Sequence, residues 1–135
     1  MRERQWITMA ILAGAALLLT GCASSAYPAF DREPTAADEL PSDASFLDDG
    51  QFDDFDLDSL RFVADHGDVS LYIVRSLDGT ACLYVAAEQD SGIACGGVGT
   101  ISMQTPAGNF ELGPAPIAEK DGWTRLSENV RVLGE

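Results

Sequence analysis

Three hydropathy regimes follow one another along this chain. From Trp6 to Thr20 nearly every position is apolar: Trp6, Ile7, Met9, Ala10, Ile11, Leu12, Ala13, Ala15, Ala16, Leu17, Leu18 and Leu19. From residue 22 to 58 acids and structure breakers dominate, with Ser24, Ser25, Pro28, Pro34, Pro41 and Ser42 among them. Beyond residue 59 short apolar runs recur at 61–64, 69–76, 80–87, 93–95, 98–103, 109–112, 123–126 and 130–133. Turn signals separate them: Gly67, Asp78-Gly79, Ser91-Gly92, Gly96-Gly97, Pro106-Ala107-Gly108, Gly113-Pro114, Asp121-Gly122 and Glu128-Asn129. Short strands with such punctuation, and no sustained helical periodicity, predict an all-β antiparallel domain over 59–135.

The strongest local signal is Asp78-Gly79, which suits a two-residue type I′ hairpin because both central residues need positive φ. In that register Cys82 faces Arg75, Leu83 faces Val74 and Tyr84 faces Ile73. One face of the ribbon then carries Leu71, Ile73 and Tyr84, and the other Tyr72, Val74, Leu83 and Val85. A strand pair apolar on both faces is covered on both, which predicts a small sandwich or barrel. Pairing Cys82 with Cys95 in the next hairpin leaves residues 87–90 as a four-residue loop.

The opening apolar run follows Arg2 and Arg4 and falls short of the about 20 residues that a spanning helix needs, so it reads as an export signal. It ends in Leu19-Thr20-Gly21-Cys22, which resembles the bacterial lipobox. The resemblance implies removal of residues 1–21 and a diacylglyceryl group on the Cys22 thiol, with acyl chains such as palmitate. The competing reading is an ordinary secretory signal cut after a small residue such as Ala26, which discards Cys22. Two acyl chains suffice for stable anchoring. The expected location is the cell membrane, lipid-anchored, facing outside the cytoplasm.

Charge sharpens this picture. The 135-residue chain carries −14, and losing Arg2, Arg4 and Glu3 with the signal takes it to −15. Such a polyanion is repelled by phosphate backbones, which argues against nucleic acid as a partner and against an electrostatic grip on anionic lipid. Within 22–58 eleven acids face only Arg32, so the stretch is expected to be a disordered acidic tether. As a flexible coil its 37 residues would span about 33 Å. Phe46, Leu47, Phe52, Phe55, Leu57 and Leu60 interleave with its acids, and Phe52 and Phe55 are candidate contact residues for a partner's groove. The bland alternative packs them on the domain's edge. The stretch lacks the order of acids, glycine and closing glutamate that a calcium loop uses.

With Cys22 assigned to lipid, Cys82 and Cys95 remain, in a protein that folds where thiols oxidise, and one disulfide between them is expected. Two cysteines and one distant histidine make a poor zinc site. At 77 residues the domain is near the size where a core alone is marginal, so a covalent staple has a clear use. The pieces Ser59-Leu60-Arg61-Phe62, Tyr72-Ile73-Val74-Arg75, Ala81-Cys82-Leu83-Tyr84-Val85 and Ala94-Cys95-Gly96-Gly97 together resemble small uncharacterised exported proteins of actinobacteria. That resemblance implies a shared disulfide core and carries no activity.

Catalytic chemistry finds little footing. Nucleophilic catalysis needs a base beside the nucleophile, and the one histidine is His66, in the turn Asp65-His66-Gly67-Asp68, where a solvated residue is the ordinary case. Glu88, Asp90, Glu111, Glu119 and Asp121 offer carboxylate pairs, but such pairs act in a cleft. Gly92, Gly96, Gly97 and Gly99 are too irregular for a phosphate loop and read as turns or bulges. Tyr72, Tyr84, Phe62 and Phe110 are core candidates, while Trp123 is a candidate exposed contact.

The sequence therefore points to a membrane-anchored binding module without catalytic residues, cofactor or metal, whose partner is another envelope protein or a wall component. The rivals are a small hydrolase using His66 with an acid and a small-ligand carrier with a barrel mouth.

Overall fold

The computed structural model describes residues 25–42, 50, 52–97 and 99–134. The expected export signal, the expected lipidation site Cys22, and Phe46 and Leu47 lie outside the described residues. Eight strands follow: β1 Phe55–His66, β2 Val69–Ser76, β3 Ala81–Ala86, β4 Gly92–Cys95, β5 Ile101–Thr105, β6 Gly108–Leu112, β7 Trp123–Arg125 and β8 Val130–Leu133. They form two antiparallel four-stranded sheets, a first with order β1-β2-β3-β4 and a second with order β5-β6-β8-β7. Among the described residues no helix is long and apolar enough to cross a membrane.

The sheets pack as a sandwich because strand alternation gives each an apolar inner face. Leu71 and Ile73 of β2 and Leu83 and Val85 of β3 meet Phe110 and Leu112 of β6 and Val130 and Val132 of β8, all essentially without solvent exposure. These side chains fill the space between the two sheets. A second cluster, Leu60, Tyr72, Val74, Cys82, Tyr84 and Ala86, covers the other face of the first sheet. Both faces of the β2-β3 ribbon are thus buried, as its sequence predicts.

The hairpin register differs from the sequence reading by one residue. Val74 faces Cys82, Ile73 faces Leu83 and Tyr72 faces Tyr84. The turn holds three residues, Leu77, Asp78 and Gly79, between Ser76 and Thr80, whose backbones are hydrogen-bonded. Asp78 hydrogen-bonds the Ser76 hydroxyl and accepts the Thr80 N–H at 3.1 Å, while Gly79 takes φ +90°. These side-chain bonds select a three-residue loop closed by a left-handed glycine. A one-residue slip exchanges faces. Leu83 and Val85 therefore join Leu71 and Ile73 in the inter-sheet core, and Tyr84 joins Tyr72 on the other side.

The next hairpin has the expected register. Cys82 faces Cys95, their Cα atoms are 4.2 Å apart, and the two are disulfide-bonded. The loop at 87–90 is closed by Ser91, whose hydroxyl accepts the Ala87 N–H at 2.8 Å and donates to the Ala87 carbonyl at 2.7 Å.

Where composition suggested a disordered tether, the described residues of 25–42 form two short 3-10 turns, Pro28–Asp31 and Ala36–Asp38, packed on the sandwich. Strand β1 also begins at Phe55, inside the stretch assigned to the tether. Specific tertiary bonds outweigh the acidic composition here. The Asp38 carboxylate takes two hydrogen bonds from Arg32 at 2.7 and 2.8 Å, the Thr35 N–H at 2.6 Å and the Phe62 N–H of β1 at 2.8 Å. The Arg32 guanidinium also donates to the Phe62 carbonyl at 3.2 Å. One ion pair thus satisfies both backbone groups of Phe62 on the open edge of β1, where an unpaired strand would invite association. Arg61, itself buried, donates to the carbonyls of Arg32, Asp58 and Leu60 at 3.2, 2.8 and 2.8 Å.

Candidate functional site

The inward positions of the second sheet leave Glu111 of β6 and Arg131 of β8 on its outer face, directly opposite each other in register. Ser102 of β5 faces Glu111 on one side, and Arg125 of β7 faces Arg131 on the other. Trp123 pairs with Leu133 one step along the same face.

Glu111 is buried beneath its partners. Its Oε2 accepts from Arg131 Nε at 2.6 Å and lies 2.5 Å from Arg131 Nη2. Its Oε1 accepts from Lys120 Nζ and from the Ser102 hydroxyl, both at 3.2 Å. Burial alone pushes this carboxyl up, but the hydrogen bonds and charges of Arg131 and Lys120 outweigh it and hold Glu111 below the usual carboxylate range. Arg131 also donates to the Ala118 carbonyl, which ties the loop before β7 to the sheet. With both oxygens engaged by four donor groups, Glu111 serves as an anchor and is not free to take a proton from a substrate.

The anchor holds two cations against an aromatic ring. Lys120 Nζ lies 4.9 Å from the Trp123 ring centroid and the Arg131 guanidinium carbon 5.6 Å. Lys120, Arg125 and Leu133 are exposed beside this half-buried ring, and an open cleft of about 390 Å³ runs between Trp123 and the loop carrying Glu119 and Asp121. Three of the six cations that follow residue 21 converge here. Of the others, Arg32 is paired with Asp38, Arg61 is capped by carbonyls, and Arg75 lies 4.2 Å from the Phe30 ring centroid.

No family model, curated protein or solved structure matches the chain.

The remaining sequence candidates fall as follows. Phe52 and Phe55 sit 6.2 Å apart, and Phe52 stands edge-on to Tyr84 at 5.2 Å, so these rings close the outer face of the first sheet. His66 ends β1 with its ring edge-on to Phe110 at 5.6 Å. Ser70 donates directly to Asp65 at 2.7 Å, so the acid takes this hydroxyl itself and the order nucleophile, imidazole, acid is not assembled there. Glu88 and Asp90 line a separate cleft with Asp68 and Pro106, at the end of the sandwich where β6 begins. Among the described residues no group of three or more His, Cys, Asp or Glu side chains could hold a metal ion.

Sequence reasoning singled out Trp123 but not the Glu111, Arg131 and Lys120 cluster that positions it. The alternation Phe110-Glu111-Leu112 and Val130-Arg131-Val132 places both charges on a polar face. Their meeting depends on β8 returning beside β6, a pairing that no local signal carries.

Proposed function

We propose that this chain is an exported, lipid-anchored protein whose β sandwich binds another envelope protein or a wall component through the outer face of its second sheet. The observation that carries the reading is Trp123 bracketed by Lys120 and Arg131, with Arg131 locked by Glu111. Aromatic and arginine side chains dominate binding hot spots, and a ring held in place before contact loses little conformational freedom on binding. The Cys82–Cys95 disulfide supports folding in an oxidising compartment. The lipobox-like Leu19-Thr20-Gly21-Cys22 supports the anchor.

The test is photo-cross-linking in living cells from position 125, beside Trp123. A discrete adduct that disappears in Trp123→Ala and persists when residues 43–49 are replaced by a neutral linker supports recognition by the second sheet. An adduct indifferent to Trp123→Ala, or one lost with the neutral linker, moves recognition elsewhere on the chain.

A further inference from the structure

Asn129 pins the start of the described chain to one end of the sandwich. Its buried side-chain amide donates to the carbonyls of Ala26 and Gly113, both at 2.8 Å, and the Ala115 N–H donates to the Ala26 carbonyl at 2.7 Å. Tyr27 and Phe30, next along the chain, pack against the inter-sheet core, with their rings 5.9 Å apart. Residues 25–30, 112–118 and 127–129 therefore meet at this end, and their one charged residue is the exposed Glu128, whose carbonyl accepts the Ile117 N–H at 2.7 Å, although the whole chain carries −14. Ala26, Pro114 and Pro116 are exposed there. The opposite end, where β6 begins, has the character expected of the rest of the chain, with Asp68, Glu88 and Asp90 around the Pro106-Ala107 turn.

Chain length then limits where this end can be. Cys22 precedes Ala26 by four residues, which reach at most about 14 Å when fully extended. That is less than half the span of a free 22–58 coil. We infer that the end of the sandwich around Ala26, Pro114 and Pro116 rests against the lipid surface that holds the Cys22 acyl chains, with the acid-lined end pointing away. This placement rests on the proposed lipidation of Cys22. Two physical terms favour it. With Glu128 as the one charged residue among 25–30, 112–118 and 127–129, laying this surface on headgroups strips little charge of its water. A negative leaflet repels the acidic end and orients the molecule in the same sense. The face bearing Trp123 is left to one side of the contact, open to a partner on the same membrane.

The experiment places the protein extracted from membranes in phosphatidylcholine nanodiscs containing gadolinium-chelating headgroups and follows its amide signals by NMR. Intact mass is recorded first on the same sample. The expected result is a lipid-bearing chain whose amides at Ala115 and Ser127 lose their signal while those at Gln89 and Ala107 keep theirs. A flexible insertion between Ser24 and Ser25 is expected to level that gradient. Uniform bleaching or none, on a chain whose mass includes the lipid, overturns the placement and leaves the lipoprotein reading intact. A gradient that survives the insertion overturns the short link as its cause. A mass without lipid on Cys22 overturns the lipoprotein reading itself, and the placement with it.

Discussion

Arg32 and Asp38 form a two-point ion pair that sits astride Phe62, the acid taking its N–H and the base its carbonyl. The pair makes an acidic leader segment part of the folded domain. Asp38→Ala leaves the N–H groups of Thr35 and Phe62 without their acceptor, at a cost of about 2 kcal/mol. The expected outcome is a lower denaturation midpoint and faster tryptic cleavage after Arg32. Cleavage at the parental rate would show that the segment is held by other contacts.

The same carboxyl gives the protein a defined acid sensitivity. Hydrogen bonds from Arg32 are the main influence holding Asp38 well below the usual carboxylate range, and Glu111 is also lowered, its pairing with Arg131 and Lys120 outweighing burial. A depressed folded-state pKa contributes stability that is fully present above the unfolded value, near 4, and is lost as pH falls through the folded one. Thermal midpoints followed downward from pH 7 are therefore expected to drop below about pH 4. The gap between the parental protein and Asp38→Asn should be widest at neutral pH and close as the acid is reached. A gap that widened with acid would contradict the pairing.

Eliminating the disulfide has a size that follows from its loop. Cys82 and Cys95 are 13 residues apart, and closing such a loop is worth about 3 kcal/mol in the chain-entropy model. The double substitution Cys82→Ala and Cys95→Ala is expected to lower unfolding free energy by that amount in urea titrations, with the fold retained at low temperature. Unchanged stability would mean that the first sheet holds its β3-β4 register without the staple.

Glu111 and Trp123 separate framework from contact. Glu111→Ala strands the buried Arg131 guanidinium, and losing one partner of a buried pair costs about 3–5 kcal/mol. Trp123 is half-buried at the rim of the face, so Trp123→Ala is expected to change stability far less while removing cross-linking from position 125. Equal destabilisation by both, measured by denaturation, would assign the ring to the framework.

Much of the fold was legible because an antiparallel sandwich repeats its signals locally. The eight short apolar runs correspond to the eight strands, and the pairing of Cys82 with Cys95 followed from cysteine count and loop length. The Asp78-Gly79 register was misread because Asp78 spends its carboxylate on Ser76 and Thr80, bonds that lengthen the turn by drawing in Leu77, which is left exposed. The tether boundary was misread for a different reason. Composition averages over residues 22–58, whereas packing there depends on single long-range partners such as Arg32 with Phe62 and Ala26 with Asn129, about a hundred positions away. The contact face shares this limit: Trp123 stands out in sequence, but the ion pair behind it exists only once β8 lies beside β6.

The central claim, an exported and lipid-anchored chain with an oxidised β sandwich, is tested most directly by intact mass spectrometry of the protein extracted from membranes, alkylated with and without reduction. The account predicts a chain that begins at Cys22, carries a diacylglyceryl group, and alkylates at Cys82 and Cys95 only after reduction. A chain without lipid, starting elsewhere or alkylated before reduction, would contradict it.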